Sequence, residues 1–189
     1  MKRQLNVLLV VLVATTFFQL NKVQAQNAAS KVYSVDEIIE NAPALVGQTV
    51  AVKGTALHIC EQTGRKLFLE TADEKKTFRF NAGSKIDKFN EDALGNEVIA
   101  TGVVAERRLT LEDLNKQEAA AIAAEKAKKA AGHCTSDAKA NGENTAATPL
   151  QRVQALKDKL NKQIAAGKNS YLSFYTINDT NEYSIVKTK

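Results

Sequence analysis

The sequence predicts a mostly β chain of the α+β class, in which a five-stranded barrel carries an N-terminal helix and an inserted helical hairpin. Three observations predict it. Between Thr49 and Arg108 apolar residues recur at every second position in four separate runs, the period of half-buried strands. Residues 109–168 then turn rich in Ala, Glu and Lys, the composition of helices. Aromatic and β-branched residues return in "SYLSFYTINDTNEYSIV", so the helices interrupt a strand series that resumes after them.

The first 25 residues read as a signal peptide. Lys2 and Arg3 precede the apolar run "LNVLLVVLVATTFF", and "VQA" ends at Ala25 in the small-x-Ala form of a cleavage site. No Cys follows to take a lipid, and the run is short for a membrane span. The expectation is therefore an exported, periplasmic chain cleaved after Ala25, with a flexible leader at 26–33 and a single domain from 34 to 189. The whole sequence carries 26 basic and 21 acidic residues; without Lys2, Arg3 and Lys22 the balance falls to 23 against 21, a net +2. Such a weak surplus gives no strong general attraction for nucleic acid.

The elements follow in order. In "SVDEIIENAPALVG" Ser34 and Glu37 stand at capping-box spacing, Val35, Ile38 and Ile39 share a helical face, and Pro43 with Gly47 marks the end. From Thr49 the period is two, with Val50 and Val52 on one face. After Gly54 the apolar positions are Leu57 and Ile59, and this change of phase predicts a bulge at the glycine. "RKLFLET" and "KTFRFNA" flank "ADEK" as a hairpin, with Phe78 and Phe80 on the face opposite Thr77 and Arg79. A short helix or turn at 86–95 leads to a long strand at 96–108. A helix is expected over 109–131, stopping at Gly132, and "TSDAKANGENTAA" reads as a polar linker. Thr148, Pro149 and Gln151 open a second helix, whose stripe of Val153, Leu156, Leu160 and Ile164 runs to Gly167.

A meander of three strands with a bent first member, a fourth strand and a late fifth match an OB-type barrel. The segment "ALVGQTVAVKGTALHIC" resembles the opening of exported bacterial OB-fold domains of the tRNA-anticodon-binding-like group. The resemblance covers Ser34 to about Glu106 and the final strand, and leaves 109–168 outside it. It implies a binding module with nucleic acid as the nominal ligand class. In such barrels the second and third strands and two adjoining loops receive the ligand. If Leu67 and Leu69 point inward, Lys66 and Phe68 face out beside Thr77 and Arg79, with Arg65 in the neighbouring loop: a stacking residue among cations. The competing reading turns β3 over and buries Phe68 in the core, where large aromatics usually lie.

The chain has only two His and two Cys, and they fall in pairs: His58 with Cys60, and His133 with Cys134. In an OB barrel both stretches belong to loops on the ligand side. Three readings stand: a Cys60–Cys134 disulfide pinning the insertion to the barrel, a two-Cys, two-His metal site suited to zinc or copper(I), or two unpaired, redox-active thiols. No nucleophile-elbow or phosphate-loop pattern appears, so a non-catalytic protein is expected; a Cys–His nucleophile through His58 or His133 is the one enzymatic alternative. A structural interaction domain is the remaining class. Sequence alone names no partner and no oligomeric state.

Overall fold

The computed structural model describes residues 31–127 and 135–186. Val32–Ser34 forms β1 and Val35–Leu45 forms α1; the barrel strands are β2 (Thr49–Ile59), β3 (Lys66–Glu70), β4 (Thr77–Ala82), β5 (Glu97–Thr110) and β6 (Tyr171–Ile185). The sheet runs β2-β3-β4-β6-β5 and closes because β2 also pairs with β5. All of these ladders are antiparallel except β4–β6, which is parallel. This is the α+β, OB-type barrel expected, with its helical insertion between the fourth and fifth barrel strands.

Closure depends on β2 serving two partners. Thr49–Thr55 pairs with β5, and Thr55–Ile59 pairs with β3. The bulge lies between Ala56 and His58, not at Gly54. Ala56 is buried and exchanges backbone hydrogen bonds with the Gly95–Asn96 turn, which forces Leu57 outward and lets Ile59 re-enter the core. Gly54 answers a different need: a Cβ there would collide with Val35 Cγ2 of α1. The helix caps this end of the barrel with Val35, Ile38 and Ala42, and its capping box forms as expected, Glu37 N donating to Ser34 Oγ at 3.1 Å and Ser34 N to Glu37 Oε2 at 2.8 Å. The expected leader ends in structure, because Val32–Ser34 adds a short parallel edge strand to β2.

A second apolar cluster sits beside the barrel core. β5 and β6 remain paired as far as Thr110 and Tyr171, beyond the barrel, and this ribbon carries Leu109, Leu172 and Phe174. Helices α2 (Leu111–Lys126) and α4 (Pro149–Ala165) pack on it through Leu114, Val153, Leu156 and Leu160. Lys157 Nζ joins Glu118 Oε2 across the pair at 2.7 Å. Both helices begin with capping boxes, Thr110 with Asp113 and Thr148 with Gln151. β6 runs unbroken through the polar "NDTN" stretch, with Asp179 at φ 50° and a register shift against β5. The expected linker also contains structure, since Thr135–Ala140 forms a short helix, α3.

Candidate anion-binding cavity

On β3, Leu67 and Leu69 point into the barrel, so Lys66, Phe68 and Glu70 occupy its outer face. Cross-strand pairing sets Arg79 beside Phe68, and Asn81 beside Lys66, on that same face. The alternation expected for this hairpin is therefore correct. The exposure expected with it is not: Phe68 and Thr77 are 0% and 2% accessible, so both faces of the hairpin are buried. Phe68 reaches this state without β3 turning over, against the competing reading as well. Its ring lies 5.6 Å from that of His58.

The inserted segment accounts for the change. Helix α3 packs against β4, with Ala138 only 1% exposed. Its Asp137 accepts from Lys66 Nζ at 2.6 Å through Oδ2 and from Arg79 Nη1 at 2.7 Å through Oδ1. Burial pushes the Asp137 carboxyl up, but the hydrogen bonds from Lys66 and Arg79 outweigh it and hold the group below its ordinary value. Lys139 Nζ adds a bond to the Glu74 carbonyl oxygen at 3.2 Å. Two of the cations expected to meet a ligand thus hold the protein's own carboxylate.

Arg65 does other work. Its guanidinium donates to the carbonyl oxygens of Ala82, Gly83, Ile86 and Asp87 at 2.9–3.2 Å, clamping the loop after β4.

Between the outer face of β3–β5 and the three inserted helices lies a cavity of about 610 Å³. Lys66, Arg79, Arg107 and Arg152 line it, against only Asp137 and Glu143 among its acids. Arg152 is 8% exposed; its Nη1 donates to the Ala147 carbonyl at 2.7 Å, and Nε lies 3.8 Å from Glu143 Oε2. Arg107 has no ion pair among the described residues and stands over the Phe174 ring, 5.3 Å from its centroid. Partial desolvation, then the charge of Arg79, lowers its pKa from the usual guanidinium value. Apolar side chains of Leu109, Ala120, Ala121, Val153 and Leu156 share the lining with the uncharged polar Asn81, Gln117 and Asn141. A surplus of guanidinium groups in a half-enclosed, partly apolar cavity is suited to holding an anion.

Sequence reasoning named Lys66 and Arg79 but missed Arg107, Asp137 and Arg152. Arg107 and Arg108 were legible only as the end of a strand, and Asp137 only as part of a polar linker. Nothing local distinguishes these residues; the packing of the insertion brings them together.

Of the His/Cys set, His133 and Cys134 lie outside the described residues, and Cys60 carries a free thiol in place of the expected disulfide. Cys60 is a free, buried thiol whose backbone N–H donates to the Lys66 carbonyl at 2.9 Å. Burial raises its pKa, but hydrogen bonds to Thr63 and to the amide of Gln62, with the charge of Lys66, bring the net value below normal. Among the described residues no group of three or more His, Cys, Asp or Glu is placed to hold a metal ion, and no helix is long and apolar enough to cross a membrane. No protein-family model and no curated protein matches the chain.

Proposed function

We propose that this chain is an exported, non-catalytic binding module that takes an anionic ligand between its OB-type barrel and its helical insertion. The observation that carries the reading is the convergence of Lys66, Arg79, Arg107 and Arg152 on one cavity with only two carboxylates to balance them. The cavity volume falls within the range of about 300–1,000 Å³ typical of small-molecule sites. A small ligand is favoured over a nucleic-acid strand. A strand on the β3–β4 face needs a stacking surface, and Phe68 is fully buried beneath other groups. It would also have to displace Asp137 from both of its partners.

The test is titration calorimetry on the exported protein with inorganic phosphate, a nucleoside monophosphate, short carboxylates and a short single-stranded oligonucleotide. The reading expects saturable binding of at least one small anion, weakened by salt and by Arg79→Gln. Absence of saturable binding by every small anion up to millimolar concentration would reject it. Tight, salt-sensitive oligonucleotide binding would restore the nucleic-acid assignment instead.

A further inference from the structure

We infer that the ligand is an amphiphilic anion, with a single carboxylate head at Arg107 and an apolar body along the helical wall. This rests on the binding-module reading above and goes further by naming the ligand class.

The head group follows from which cations are already engaged. Asp137 takes Lys66 and the Nη1 of Arg79, while Glu143 and the Ala147 carbonyl take Arg152. One cation remains: Arg107 has no carboxylate partner among the described residues, and it feels the positive charge of Arg79. The mutual repulsion of two guanidinium groups costs free energy. One carboxylate group at Arg107 offsets it, because its two oxygens match the paired donors of a guanidinium. A polyphosphate fits poorly, since its further charges would face Asp137 and Glu143.

The body follows from the opposite wall. On α2 and α4, Ala120, Ala121, Val153 and Leu156 put apolar side chains on the helical side of the cavity, with Gln117 and Arg152 as the polar groups beside them. An apolar chain lying against them is removed from water, which favours binding.

The experiment measures binding of octanoate, 1-octanol, acetate, inorganic phosphate and adenosine monophosphate to the exported protein by calorimetry. Octanoate should bind saturably and at least ten-fold more tightly than octanol or acetate. Arg107→Gln should weaken octanoate at least ten-fold and leave octanol unchanged, and Ala120→Glu should weaken both. Both positions are exposed on the surface, and an unchanged melting temperature verifies that each variant is folded. Equal binding of octanoate and octanol, or an Arg107→Gln variant with unaltered octanoate affinity, overturns the assignment. Binding of phosphate or the nucleotide without octanoate also overturns it while sparing the binding-module reading. If none of the probes binds, both fail together.

Discussion

Asp137 Oδ1 lies 2.7 Å from Arg79 Nη1, joining the inserted helix to the barrel across 58 positions of sequence. Because Lys66 holds the other oxygen, one carboxylate fastens α3 to two neighbouring strands. Its depressed pKa gives this fastening a definite pH dependence. A carboxylate with an unfolded value near 3.9 and a lower folded value stabilises the fold fully above the unfolded value, and loses that contribution as pH falls through the folded one. Asp137→Asn should therefore cost about 1–3 kcal/mol at pH 7 and progressively less below about pH 4. Urea unfolding of both proteins at pH 7 and pH 3 measures this, and a pH-independent difference would contradict it.

Phe68 should behave as a core residue. Truncation to Ala is expected to cost about 3–5 kcal/mol, as for large buried aromatics generally. Chemical denaturation is the check. A loss below 1 kcal/mol, about what an exposed side chain gives, would mean the ring is accessible in solution.

The two apolar clusters should respond separately. Leu160 is fully buried in the second cluster, away from the barrel core. Leu160→Ala should destabilise the α2–α4 pair by about 2–5 kcal/mol. Hydrogen exchange is expected to quicken across residues 111–126 and 149–165 while β2 and β3 keep their protection. Uniform loss of protection through the barrel would show instead that the two clusters unfold as one.

At Gly54 the added methyl of Ala would meet the Val35 side chain, with the Glu70 carbonyl oxygen and Leu69 Cβ each at 3.3 Å. Overpacking of this kind costs about 1–3 kcal/mol. Val35→Ala should recover part of the loss in the double variant, and thermal melts of the four proteins give the coupling. Strict additivity would place the strain elsewhere.

Much of this architecture could be read from local pattern. Ser34 and Glu37, Thr148 and Gln151, and the inward set Phe78 and Phe80 each declared an element through spacing alone, because capping and strand alternation depend on near neighbours. The glycine in β2 stands three residues before the bulge because Gly54 marks a close approach of α1, a tertiary fact that leaves the same residue type behind. Thr135–Ala140 looked like linker for a related reason. Six residues with two alanines and no apolar stripe do not hold a helix alone, and α3 draws its support from Asp137, Ala138 and Lys139 against the barrel. The cavity inherits that difficulty, since its walls come from six elements spread over ninety residues of sequence.

Thr110 and Tyr171 face each other as the last rung of the β5–β6 ladder, so everything between them leaves and re-enters the fold at a single doorway. Such an arrangement is how an ancestral hairpin would look after sixty residues had been spliced into its turn. Excision should be as easy as acquisition: a two-residue Asn-Gly connection could rejoin the strands, provided Leu109, Leu172 and Phe174 were made polar where the lost helices had sheltered them. The trimmed chain would expose the Phe68 face to water for the first time. The same barrel would then present a flat outer surface in place of an enclosed chamber, and the insertion would be the part that sets its choice of guest.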